Sequence, residues 1–210
     1  MNQIIQEGFN KNKCNVKKST RKYQLQFFIS SIIAIIFLIF LFWKLYQNQQ
    51  QEEIVKELLN NYQLTTLSYG TQQHETNKII VENSFVIGMI NIKKINLSYP
   101  ILFKSNDELL KISLCRFSGP MPNESGNLCI AGHNYMDNRF FSRLNELEIG
   151  DLIEIYGLSG QKQEYYVFQK YKINANDFSC CSQDVGNDKV VTLLTCDDSD
   201  SNRRLVVQAK

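Results

Sequence analysis

The 210-residue sequence holds only two histidines, and its six cysteines form no Cys-x-x-Cys pair. With so few nitrogen ligands and no paired thiols, the residue set argues against a structural zinc site. The formal net charge is only +2. That is too small a surplus to suggest a nucleic-acid partner, whose binding rests on many phosphate contacts. No internal repeat is visible. The cysteines stand at 14, 115, 129, 180, 181 and 196. Cys180 and Cys181 are adjacent, and neighbouring residues seldom meet disulfide geometry without strain. The sequence therefore predicts mostly free thiols, at least one of which needs a reason.

Charge is uneven even though the total is small. The first 26 residues carry Lys11, Lys13, Lys17, Lys18, Arg21 and Lys22 against the single acid Glu7. The run FFISSIIAIIFLIFLFW, Phe27 to Trp43, follows with no charge and no proline. Alone it is short for the roughly 30 Å hydrocarbon core. Lys44, Leu45 and Tyr46 extend it, because lysine snorkels and Trp43 and Tyr46 suit the interface. Every face of the segment is apolar, which a helix buried at one face of a domain does not need. It also exceeds the usual core of a signal peptide, and no small-x-small site follows. We read residues 27–46 as an uncleaved single-pass anchor. The basic residues 1–26 then form a cytoplasmic tail, and the remainder lies outside. Cys14 falls inside, leaving five cysteines outside, an odd number that cannot all pair with one another.

Residues 47–78 read as a stalk. Ile54, Val55, Leu58 and Leu59 have the spacing of one stripe on a short helix, and Thr65 to Lys78 is polar without pattern. His74 lies in that linker and reads as solvated. From Ile79 to Lys210 the texture changes to short apolar runs bounded by Gly, Asn, Asp, Ser or Pro. Such runs predict strands. Two stretches read as helical, NDELLKISL and NRFFSRLNEL, with Asn106 and Asn138 as N-caps. Many strands with few helices predict a mainly β domain, a barrel or a sandwich.

His133 follows the strand-like LCIA and Gly132, where a strand gives way to a loop. Cys196 ends the run KVVTLLTC. A thiol attacks as thiolate and needs a base or a positive neighbour. Cysteine, histidine and arginine together suit acyl transfer: the thiol attacks a carbonyl, the imidazole moves protons, and a guanidinium steadies the oxyanion. The bland alternatives are a small apolar residue ending a strand and a hydrogen-bonded structural histidine.

The segments that carry this chemistry resemble the sortases. TLLTC followed by RLVVQAK is similar to the TLxTC…R signature of that family, and SGNLCIAGHN to its histidine segment. FVIGMINIKKINLSYPIL resembles its opening strand pair, and FFSRLNELEIGDLIEIY its stretch of helix, Gly-Asp turn and strand. The resemblance spans Ile79 to Lys210. It implies an eight-stranded closed β-barrel and a cysteine transpeptidase on the outer face of a Gram-positive membrane. Such an enzyme cleaves an LPXTG-type signal of a surface protein. It holds the protein as a thioester and passes it to an amine of peptidoglycan precursor or pilin.

Carried over by residue, the resemblance implies Cys196 as nucleophile, His133 as its proton-handling partner and Arg204 as the arginine, with Arg203 as the alternative. Thr195 is a supporting residue. Neither a metal nor a cofactor is implied. In Arg204-Leu-Val-Val-Gln-Ala-Lys210, alternation sends Leu205, Val207 and Ala209 to the core and Arg204 to the other face. The acids Asp197, Asp198 and Asp200 read as a polar loop rather than a calcium site. The stalk and the C-terminal run lean towards class B, the short segment from Tyr171 to Val190 away from it. Without a proline-rich lid, B-like or D-like is favoured over A and C. A non-catalytic peptide-binding barrel and a protease that only hydrolyses are the competing functions.

Overall fold

The computed structural model describes residues 26–46, 49–50, 53–60, 80–81, 84–200 and 202–210. His74, Cys14 and most of the polar stalk lie outside the described residues. The chain forms two compact units, Met1–Gln50 and Gln51–Lys210. In the first, residues Gln26–Tyr46 form a 21-residue helix, long and apolar enough to cross a membrane. At about 1.5 Å per residue it matches the roughly 30 Å hydrocarbon thickness.

The second unit is a closed barrel. Its strands are β1 (Ile80–Val81), β2 (Ser84–Ile92), β3 (Leu97–Leu102), β4 (Leu114–Ser118), β5 (Gly126–Ala131), β6 (Leu152–Gly157), β7 (Lys162–Asn174), β8 (Lys189–Cys196) and β9 (Arg203–Ala209). The order β2-β3-β4-β5-β8-β9-β7-β6 returns to β2 through an antiparallel β2–β6 pairing, so eight strands close the ring. The two-residue β1 pairs with β2 at Ile80–Phe85 and Val81–Ser84. Closure places β2 between two partners, and Gly88 stands where it meets both β3 and Gly157 of β6. A Cβ at Gly88 would lie 2.4 Å from the Tyr156 carbonyl oxygen, so this crossing requires glycine.

The barrel is filled by alternate residues of its strands. Ile90 and Ile92, Leu128 and Ile130, Ile153 and Ile155, Val191 and Leu193, and Leu205, Val207 and Ala209 all join one core. Burying each large aliphatic side chain contributes about 1.5–3 kcal/mol. The alternation read from the C-terminal run is the one observed: Leu205, Val207 and Ala209 face inward, while Val206 belongs to a separate cluster outside the barrel wall.

The first expected helix is present at Asp107–Ile112, and the Asn106 side chain caps it by accepting from Leu109 N at 2.8 Å. It is shorter than the sequence pattern, because Leu114 already opens β4. The second expected helix is not formed. Asn138 and Phe140 both have positive φ, 65° and 52°, a conformation that breaks a right-handed helix. Phe140 is instead pinned by a bridge to Asn134 and buried in the core. Only the 3-10 turn Leu144–Glu146 remains of that pattern.

The helix over residues 53–60 does not stand clear of the barrel. Leu58 is 2% exposed and packs with Val86, Leu102, Leu109, Ile112 and Cys115.

Candidate active site

Three strand ends meet at one rim of the barrel. Strands β5 and β8 run parallel, with Ala131 opposite Leu194. Gly132 N donates to the Leu194 carbonyl at 3.1 Å, which carries the pairing one residue beyond β5. Along β5, Leu128 and Ile130 point inward, and His133 follows Gly132 just past the strand's end, two residues after Ala131 as Cys196 is two after Leu194. On the other side β8 and β9 run antiparallel, with Cys196 directly opposite Arg204. Neighbouring strands lie about 4.8 Å apart. Cys196 and Arg204 are therefore cross-strand neighbours on the outer face, and His133 follows two residues beyond the last β5–β8 pair, at the same rim.

Local packing fixes these positions. Gly132 is buried, and a Cβ there would lie 2.4 Å from Leu114 Cδ2 and 2.8 Å from Phe141 Cδ2. Thr195 is buried beneath the rim and its Oγ1 donates to the Gly132 carbonyl at 2.8 Å. The residue before the cysteine thus ties β8 to the residue before the histidine.

Cys196 is exposed and unpaired with any other cysteine. His133 is half-buried, and its ring lies 4.9 Å from that of Tyr135. Burial lowers the His133 pKa below the ordinary histidine value; the Asp107 carboxylate raises it and the Lys111 ammonium lowers it further. Arg204 is half-buried, with Nη1 donating to the Arg203 carbonyl at 3.1 Å. Arg203 is exposed. Its backbone closes the turn, donating to Asp200 O at 3.0 Å and accepting from Asp197 N at 3.1 Å.

The acids after Cys196 each have a protein partner. Asp197 pairs with Lys172 of β7 at 2.8 Å and accepts from Ser199 Oγ at 2.9 Å. The Lys172 ammonium holds its carboxyl below the usual range. Asp200 accepts from Asn202 N at 2.8 Å. Asp198 accepts from Asn134 Nδ2 on one oxygen and from Asn145 Nδ2, at 3.0 Å, on the other. Asn134 Nδ2 also donates to the Cys196 carbonyl at 3.0 Å. This brace joins the residue after the histidine to the cysteine itself. Nothing in the spacing of Asn134, Asn145 and Asp198 announced it, beyond the placing of Asn134 next to His133. Among the described residues, no group of three or more His, Cys, Asp or Glu side chains is arranged to hold a metal ion.

Residues 90–210 match the family model of the sortase domain. The chain belongs to the sortase family. It is accordingly a cysteine transpeptidase that acts on sorting signals. The sortase barrel is similar to the sortase D5 transpeptidase of Clostridium perfringens, with a TM-score of 0.58 and 24% identity over 76% of this chain and 96% of that one. It is similar to sortase C-1 of Actinomyces oris, with a TM-score of 0.55 and 25% identity over 59% of this chain and 72% of that one. Sortase A of Corynebacterium diphtheriae gives 0.55 and 20% over 73% and 82%. These neighbours come from three sortase classes. Comparison with curated proteins gives no significant match.

Proposed function

We propose that this sortase is anchored by residues 27–46, with the basic tail 1–26 in the cytoplasm and the barrel carried outside on the stalk 47–78. There it cleaves an LPXTG-like signal at the C-terminus of surface proteins. It transfers the protein to an amine of peptidoglycan precursor or of a pilin. Cys196 is the nucleophile, His133 the proton carrier and Arg204 the group that steadies the oxyanion or holds the peptide. The support is the strand register: Cys196 of β8 pairs directly with Arg204 of β9, and His133 follows the end of β5, the other neighbour of β8.

The lowered pKa of His133 favours a neutral imidazole at rest. His133 takes the proton of Cys196 as the sulfur attacks the Thr–Gly carbonyl, becoming imidazolium. The imidazolium then gives that proton to the departing glycine nitrogen as the C–N bond breaks, leaving a thioester. In the second half, neutral His133 accepts a proton from the incoming amine as its nitrogen attacks the thioester carbonyl. The proton returns to the Cys196 sulfur as it leaves. Arg204 rather than Arg203 serves here, because its position in β9 shares the outer face with Cys196. Between β7 and β8 the chain carries one 3-10 turn, Ser179–Cys181, where a class B insertion would hold a long helix. That favours a class D-like reading.

The test uses the full-length chain in detergent and an LPXTG-type peptide, with and without an amine acceptor. Cleavage and transfer are expected, with a thioester trapped on Cys196 and both lost in Cys196→Ala. Cleavage without transfer would favour a hydrolytic protease. Turnover that survives Cys196→Ala would overturn the assignment.

A further inference from the structure

Three thiols gather on the same outer face, below the rim that holds Cys196. Cys129 of β5 is fully buried, and Cys180 is 4% exposed. Both pack with Ile173, Leu194 and Val206, and the half-buried Cys181 packs against the same cluster. Cys180 Sγ and Cys181 Sγ are 3.8 Å apart. Cys129 lies four residues before His133 on its strand, or about 13 Å at the usual strand rise. The cluster is therefore separate from the proposed nucleophile.

The segment that carries Cys181 is fastened to the barrel wall. The Cys180 carbonyl accepts from Asn127 Nδ2 at 2.9 Å, from Gln208 Nε2 at 3.1 Å and from Thr192 Oγ1 at 3.4 Å. The Ser182 carbonyl accepts from Asn127 Nδ2 at 3.0 Å. Gln183 bonds both the N–H and the carbonyl of Asn127, at 3.1 and 2.9 Å. Asn127 is two residues from Cys129 on β5. This staple fixes the backbone on both sides of Cys181 against β5, in the cluster that holds Cys129, without help from either sulfur.

The two sulfurs differ in character. Of the three thiols, Cys181 alone is partly exposed, and the neighbouring thiols, Cys129 first, favour its thiolate, lowering its pKa to about 6. The neighbouring Cys181 and burial keep the proton on Cys129, whose pKa is raised and whose thiol donates to the Asn127 carbonyl at 3.7 Å. One partner is thus ionised and half-exposed, the other protonated and buried. A reactive cysteine with a resolving cysteine beside it has this division.

We propose that Cys181 is a second reactive thiol of this chain, a modification site for disulfides of small thiols, with Cys129 as its resolving partner. The Cys181 thiolate attacks one sulfur of the small disulfide. That S–S bond breaks, and one small thiolate leaves and takes a proton from solvent. The Cys129 sulfur then attacks the Cys181 sulfur, the mixed disulfide bond breaks, and the Cys129 proton passes to the departing second small thiolate, which leaves as a thiol. Cys129 and Cys181 are oxidised together by two electrons, and the small disulfide is reduced to two thiols. The product is a bond between β5 and the β7–β8 connection. The adjacent Cys180 is excluded as partner by the strain of a disulfide between neighbours. None of this requires the transpeptidase reading.

The test uses full-length Cys196→Ala chain in detergent, treated with oxidised glutathione, alkylated and digested with trypsin. Cys129 falls in the tryptic peptide 117–139, and Cys180 and Cys181 fall together in 173–189. A disulfide-linked pair of these peptides is expected. It persists in Cys180→Ser and is lost in Cys181→Ser. In Cys129→Ala the glutathione adduct on Cys181 accumulates instead. Iodoacetamide should label Cys181 about ten-fold faster than Cys115 at pH 7, a readout on the unsubstituted cluster that does not depend on how the variants fold. Equal labelling rates, a link that survives Cys181→Ser, or a Cys180–Cys181 bond as the main product would overturn the proposal.

Discussion

His133 is surrounded by charges that act on it in opposite directions, and this makes its role measurable. In the proposed mechanism the neutral imidazole is the form that takes the Cys196 proton, so protonating His133 would shut the reaction down. The acid limb of kcat/KM should therefore follow His133, with its midpoint below the ordinary value of 6.5 because burial disfavours the imidazolium. Lys111 lowers the His133 pKa and Asp107 raises it. Lys111→Ala should then move the acid limb to higher pH, and Asp107→Asn should move it to lower pH. Rate profiles of the full-length chain in detergent decide the matter. Limbs that coincide in all three proteins would remove His133 from the proton transfer.

At the scale of elements, the loop after β8 and the loop after β5 are held together by Asp198, Asn134 and Asn145. Asp198→Ala takes the shared acceptor from both amides and frees Asn134 from one of its two partners. We expect kcat/KM to fall about ten-fold, since small errors in the spacing of reacting groups are costly. The melting temperature should barely change, because the brace is exposed. Asp198→Asn, which retains an acceptor oxygen, should recover part of the rate. A variant that loses melting temperature in step with rate would make the brace merely structural.

Much at this scale is written in local pattern. Alternation in RLVVQAK assigns the inward set, Asn106 with its acidic first turn marks a helix start, and the Gly and Asn boundaries separate the strands. Cys196 and His133 are legible as candidates because each follows a strand-like run, whereas Arg204 enters through the resemblance of RLVVQAK to the family signature. Other features depend on contacts far along the chain. The stretch from Asn138 has a helical spacing of apolar residues, yet the Phe140 bridge to Asn134 and the core around it impose positive φ. Strand β4 is hidden because its Leu114 and Cys115 follow directly on a helix. The Asp198 brace and the thiol cluster join residues more than fifty positions apart, and no local pattern encodes such a pairing.

For the molecule as a whole, the helix over 53–60 matters because it extends the barrel's packed surface beyond the strands. Leu58 covers Val86, Leu102, Leu109, Ile112 and Cys115, which would otherwise face solvent on the outside of the wall. Cys115 is fully buried there, and burial pushes its thiol up to about 12. Leu58→Ala should cost about 2–3 kcal/mol, seen as a lower denaturation midpoint of the full-length chain. It should also speed alkylation of Cys115. Stability and Cys115 reactivity both unchanged would mean that the helix lies on the barrel without supporting it.

The pairing of β5 with β8 has a consequence for how the molecule comes into being. The hydrogen bond from Thr195 to Gly132 closes a loop of 63 residues, and the strands that flank Cys196 come from opposite ends of that loop. Contacts of such long range form late and slowly in folding. No hairpin or fragment of the chain brings the thiol and the imidazole together before the ring of strands shuts. A chain whose β5 has not yet paired with β8 therefore carries a thiol without the His133 imidazole near it, even where the local β8–β9 hairpin has brought Arg204 opposite Cys196. On the proposed roles, acyl-transfer chemistry switches on only when this long-range pairing forms, and a chain that has failed to fold is chemically quiet as well as shapeless.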